Sequence, residues 1–177
     1  MFNWLDNLIE KILSIFPSVQ LVSPDEYGVR ITLGKYVSDA PPGWYVLWPV
    51  IQEYSGLKVK TQIKDLRAQS VWSADHKELT ISGAVKYYVA NVRKALFEVY
   101  DYDANVQALA LGIIQRHCAA HEEMTIKTSA LEGDILEILR KESQGWGLKI
   151  EKVYITDIGR TRNIRLLTNT ASEREII

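Results

Sequence analysis

Glu26-Tyr27-Gly28-Val29-Arg30-Ile31-Thr32-Leu33-Gly34-Lys35 is the stretch from which the fold can be read. Tyr27, Val29, Ile31 and Leu33 alternate with Gly28, Arg30 and Thr32. That period of two belongs to a half-buried strand, whose side chains point to opposite faces in turn. Gly34 breaks the run and predicts a turn. Shortly after comes Ala40-Pro41-Pro42-Gly43-Trp44-Tyr45-Val46-Leu47-Trp48-Pro49-Val50-Ile51, an aromatic and aliphatic block without a charge. Its Pro-Pro-Gly opening predicts an extended, turning backbone, and Pro49 lacks the N–H that a central strand position needs. The block reads as a loop. If exposed, it is an apolar patch that requires lipid or protein as its partner.

Outward from this point the period of two returns in Leu57–Lys64 and in Leu79–Val89, with the polar, turn-like Ser73–Glu78 between them. From Asn91 the spacing becomes helical. Val92, Ala95, Leu96 and Val99 predict a short helix. Asp103 is the expected N-cap of a second, with Val106, Leu109, Ala110, Ile113 and Ile114 inward. Ser129 is the expected cap of a third, with Leu131, Ile135, Leu136 and Leu139 inward and Gly145-Trp146-Gly147 as its stop. A last strand holds Leu148, Ile150, Val153 and Ile155, and its slipped apolar phase predicts a bulge near Glu151 or Lys152. Strands first, helices later and one final strand predict an α+β fold, a mainly antiparallel sheet with helices on one face.

The residues before Pro17 carry a different pattern. Placed at about 100° per residue, Phe2, Trp4, Leu5, Leu8, Ile9, Ile12, Leu13, Ile15 and Phe16 share one arc, and Asn3, Asp6, Asn7, Glu10, Lys11 and Ser14 the other. Pro17 ends this amphipathic helix. It lacks the basic n-region of a signal peptide. Two readings remain, a helix packed on its own domain or a neighbouring subunit, and an in-plane membrane helix with Phe2 and Trp4 at the headgroup boundary.

Composition excludes several classes. The chain has 177 residues, 47% hydrophobic and 24% charged, with a formal net charge of −1. One folded domain is expected, and attraction of the whole surface to nucleic acid or anionic lipid is not. Cys118 is the single cysteine, so no intrachain disulfide forms. No run of about 20 apolar residues crosses a bilayer as a helix.

These stretches, in this order, resemble the band 7 or SPFH family of stomatins, prohibitins and flotillins over roughly residues 24–158. The family's opening strand looks like Glu26–Lys35, and its Pro-Gly–aromatic–Pro loop like Pro42–Pro49. Its Tyr-Tyr-x-Val-like strand end is similar to Tyr87-Tyr88-Val89. Its Trp-Gly turn into a final strand is similar to Trp146–Ile150 and Val153–Ile158. The resemblance implies a non-catalytic domain that docks on a bilayer and assembles into rings, cages or microdomains, often around membrane proteases or channels. Family members usually continue into a long coiled coil, whereas this chain ends about 20 residues past the last strand, as in a compact bacterial or phage form.

The expected division is an N-terminal helix over 1–18, an SPFH domain over 19–158 and a short tail over 159–177. The expected contact surface for membrane or partner is Phe2, Trp4, Leu5, Leu8, Ile9, Ile12 and Phe16 with Trp44, Tyr45, Val46, Leu47 and Trp48. Arg160, Arg162 and Arg165 form a basic run, read as a solvated face or as a contact for lipid headgroups or a neighbour's acids. No catalytic set, cofactor or nucleic-acid partner is expected. His117 and His121 stand at the i, i+4 spacing that chelates zinc, but a helix end with Cys118 as a small buried group is the preferred reading. The expected protein is therefore a scaffold that self-assembles on the cytoplasmic side of a membrane. The alternative is a soluble subunit of a ring or phage assembly whose apolar faces are buried between protomers.

Overall fold

A computed structural model describes residues 16–126 and 130–160. The expected N-terminal helix, the Ser129 cap and the tail after Arg160 lie outside the described residues. The fold is α+β, with mainly antiparallel pairing. Two compact units divide the chain. The first takes the chain up to Thr61 together with Tyr88–Val99 and Gly145–Leu148, and the second takes Gln62–Tyr87, Tyr100–Gln144 and the chain from Lys149 on.

The first unit is built on β1 (Ser18–Val22), β2 (Glu26–Thr32), β3 (Tyr36–Ala40), β4 (Gly43–Leu47), β5 (Gln52–Lys58) and the short helix α1 (Val92–Phe97). β2 is the middle strand of the order β3-β2-β5, antiparallel to both neighbours, with Val29 wholly buried. β2 stops one residue short of the expected Leu33, because Leu33 (φ 54) and Gly34 (φ 65) both turn into the left-handed region that a tight hairpin requires. Gly28 and Gly56 are directly paired across β2 and β5, and the Tyr54 ring lies against both, filling the space two missing side chains leave. The Tyr54 hydroxyl donates to Glu26 Oε1 at 3.0 Å. Burial, and then this carboxylate, push the phenol's pKa up to about 12.

The block expected as a loop contains a strand. β4 pairs antiparallel with β1, which the apolar pattern alone does not reveal, to form a separate two-stranded sheet. Pro49 sits just beyond, in a turn where Ile51 and Gln52 both donate N–H to the Trp48 carbonyl (3.0 and 2.7 Å). The alternating run Leu57–Lys64 belongs to two strands rather than one. It breaks at residues 59–61, where the Val59 N–H leaves the ladder for the Asp25 carbonyl (3.0 Å).

The second unit contains β6 (Gln62–Trp72), most of β7 (Glu78–Val89), α2 (Tyr102–Ala120), α3 (Glu123–Ile126), α4 (Ala130–Glu142) and most of β8 (Leu148–Gly159). The strand order is β6-β7-β8, α2 packs on β6, and α4 packs on α2. The N-cap of α2 is Asp101, whose side chain accepts from Ala104 N, and not Asp103. Asp103 lies in the first turn, where it accepts from the Tyr87 hydroxyl and pairs with Lys64 at 2.9 Å. A register shift between Leu66 and Gln69 marks a bulge in β6. Gln69 reaches across from it to the Leu111 carbonyl at 3.0 Å. Val106, Ala110, Ile113 and Ile114 are buried as the helical spacing predicts, and so are Leu131, Ile135 and Leu139.

In β8, Ile150 and Val153 are both buried although three apart. One guanidinium, that of Arg140, donates to the carbonyls of Ile150 (2.9 Å) and Glu151 (3.0 Å). Both carbonyls thus meet one side chain at the place where the slipped apolar phase predicts a bulge.

Candidate functional site

β1 and β4 present two different faces because their side chains alternate. Leu21 stands opposite Trp44 and Val19 opposite Val46. All four are exposed, with Trp44 at 75%. On the other face, Val22 and Leu47 at the strand ends are buried, at 1% and 6% exposure. Cross-strand pairs of this kind place side chains within contact distance, so Leu21/Trp44 and Val19/Val46 make one continuous apolar face. Phe16 before β1 and Trp48, Val50 and Ile51 after β4 are also exposed.

Of the expected contact residues, the structure therefore brings Trp44 and Val46 onto one outward face, with Trp48 exposed beyond the strand end. Leu47 is buried, and Tyr45 is half-buried with its hydroxyl donating to the Pro41 carbonyl at 2.7 Å. Phe2, Trp4, Leu5, Leu8, Ile9 and Ile12 lie outside the described residues. Val19 and Leu21 were not among the expected contacts. Their signal was the alternation Val19-Gln20-Leu21, short enough to pass as coil.

The basic run has a specific internal partner at its first residue. Arg160 Nε donates to Glu123 Oε1 at 2.8 Å, and Nη2 pairs with Oε2. Glu123 is only 2% exposed, and Lys77 Nζ lies 3.2 Å from the same carboxylate. Lys77 also pairs with Asp75 at 2.6 Å, and Asp75 accepts from Ser73 Oγ and from the Glu123 N–H. Lys77, followed by Ser73, holds the Asp75 carboxyl well below the usual carboxylate range. Glu123 was not singled out from sequence, since nothing local distinguishes it from a surface acid. Arg162 and Arg165 lie outside the described residues.

The histidines form a stacked pair. The His117 and His121 rings lie 4.2 Å apart at 20°, and His121 Nδ1 is 2.8 Å from the His117 carbonyl. Burial, and then His121, lower the His117 pKa. Cys118 is buried, with its thiol pushed up to about 11 by desolvation, and His76 is exposed in the β6–β7 turn. Among the described residues no group of three or more His, Cys, Asp or Glu is arranged to hold a metal ion. A cavity of about 570 Å³ in the first unit is lined by Tyr27, Asp39, Val59 and Tyr88–Arg93. The Arg93–Asp39 pair closes at 3.2 Å within that lining. Among the described residues no helix is long and apolar enough to cross a membrane.

Residues 20–170 match the model of the SPFH domain / Band 7 family. The chain is 27% identical over 164 residues to an uncharacterized protein of Methanocaldococcus jannaschii, covering 92% of this chain and 82% of that protein. It is 21% identical over 149 residues to a stomatin homologue of Pyrococcus horikoshii, covering 83% of this chain and 56% of that protein. It is 20% identical over 160 residues to Stomatin-2 of Caenorhabditis elegans, covering 88% and 43%.

Proposed function

This chain belongs to the SPFH domain / Band 7 family, and on that premise we propose that it is a non-catalytic scaffold that docks on a membrane surface and assembles with copies of itself. The family includes membrane-associated stomatin-like scaffolds. The observation that carries the reading is the face on which Leu21/Trp44 and Val19/Val46 meet, with Trp48 beyond it. So many large apolar side chains side by side in water would be costly at roughly 25 cal/mol per Å² of apolar surface, and lipid contact removes that cost. Tryptophan suits the boundary between hydrocarbon and headgroups, because its indole is apolar in body and polar at one edge. The N-terminal amphipathic segment, with Phe2, Trp4, Leu5, Leu8, Ile9 and Ile12 on one arc, supplies a second shallow anchor in this reading. A partner such as a membrane protease or channel would be organised by the assembled domains.

Vesicle flotation tests the proposal. The whole chain is expected to rise with vesicles, and the Val46→Asp variant to stay behind with an unchanged circular dichroism spectrum. A homogeneous ring that never leaves the soluble fraction, whatever the lipid, would instead mean that these faces are buried between protomers.

A further inference from the structure

We infer that the β1–β4 face docks on a leaflet by apolar contact alone, so that a zwitterionic leaflet suffices and anionic headgroups add little to its docking; the inference rests on the membrane reading above. Both strands and their flanks are devoid of charged side chains. Residues 16–24 and 40–52 contain no Asp, Glu, Lys or Arg. These two charge-free stretches are separate in sequence, and the β1–β4 pairing sets them side by side.

Three of the polar side chains in them are also engaged within the chain. Tyr45 donates to the Pro41 carbonyl (2.7 Å), Gln20 Nε2 to the Leu21 carbonyl (3.2 Å), and Gln52 Oε1 accepts from Trp48 N (3.2 Å). Nothing on this face is built to grip a phosphate or carboxylate. The first arginine of the basic run is held by the buried Glu123 carboxylate. The N-terminal amphipathic segment carries Asp6 and Glu10 against Lys11, so it brings no net positive charge either.

Attraction to anionic lipid grows with the number of Lys and Arg near the surface, and this face contributes none. A specific protein partner is the poorer match. A protein interface surrounds its charge-poor, aromatic core with a polar, hydrogen-bonding rim, and residues 16–24 and 40–52 supply no charged side chain for one. What this face offers is apolar area with tryptophans, which any fluid leaflet accepts.

The test is a titration of the whole chain, followed by tryptophan fluorescence and flotation. One set of vesicles is phosphatidylcholine alone, and the other contains about a third phosphatidylserine, each at low and high salt. The expected result is partitioning onto both within about twofold, unchanged by salt, and at least about tenfold weaker on both for Trp44→Asp. Leu21→Asp, on the opposite strand, is expected to match it if Trp44→Asp folds poorly. Binding only to serine-containing vesicles, or binding abolished by salt, overturns the neutral-leaflet inference and leaves the membrane reading standing. Absence of binding to either vesicle overturns both.

Discussion

Glu132 Oε1 on α4 accepts the backbone N–H of Ile155 on β8 at 2.9 Å. Arg140, further along the same helix, donates to the Ile150 and Glu151 carbonyls. β8 is an edge of the order β6-β7-β8, and an edge presents backbone groups that another chain's strand can pair with. One helix thus occupies such groups at two places along β8, with a carboxylate for the donor and a guanidinium for the acceptors.

Removing both side chains exposes that edge. The double variant Glu132→Ala/Arg140→Ala is expected to lose roughly 1–3 kcal/mol of stability, about one hydrogen bond's net contribution per partner lost. It is also expected to self-associate more at high concentration, as read by light scattering. A variant as monodisperse as the parent would remove the edge-covering role.

Two glycine replacements should have opposite signs. A Cβ at Gly83 on β7 would lie 2.5 Å from the Tyr154 carbonyl oxygen, a backbone atom that cannot step aside. Gly83→Ala is expected to destabilise by about 1–3 kcal/mol. Gly112, exposed in the interior of α2, has nothing within 4 Å of such a Cβ. Gly112→Ala is expected to stabilise by about 0.5–1 kcal/mol, the entropy a helical glycine loses on folding. Thermal melts of the two variants against the parent decide it.

The stacked histidines predict a pH dependence. Burial and the His121 ring favour neutral His117, while Asp134, 4.0 Å away, acts in the opposite direction and is the weaker influence. The unfolded chain takes up a proton near the ordinary histidine value of about 6.5, whereas the folded chain resists until lower pH. The His117 contribution is therefore fully present above about 6.5 and is lost as pH falls toward the folded value. Between about pH 7.5 and about pH 5.5 the melting temperature is expected to fall, and to fall less in His117→Gln. Parallel profiles for the two proteins would contradict this.

Cys118 should be chemically silent in the native protein. It is wholly buried in α2, and desolvation keeps it protonated far above neutral pH. A disulfide reagent near pH 8 is expected to release almost nothing until denaturant is added, and then one thiol per chain. Rapid reaction of the folded protein would mean that α2 opens easily.

What was legible in the sequence follows from the range over which each signal acts. Leu79–Val89 reads as a strand because its side chains alternate along a single element, and β7 is observed over Glu78–Val89. The helical spacing of Val106, Ala110, Ile113 and Ile114 is local in the same way. β1 and β3 were missed because each is five residues long. β4 was missed because its uninterrupted apolar run masks the alternation that only pairing imposes. The candidate site was half legible. Its composition stood out, but which side chains face outward depends on strand register.

The sequence by itself determined that this chain is an α+β member of its family, and that an uncharged, tryptophan-bearing block lies within it. Local periodicity and side-chain chemistry are enough for that. Only the tertiary structure decided that Trp44 stands beside Leu21 with Leu47 turned inward, and that Arg160 closes on a buried Glu123. Both depend on residues far apart along the chain. Their meeting is set by backbone pairing and by the need to give a buried charge a partner, which no local pattern encodes.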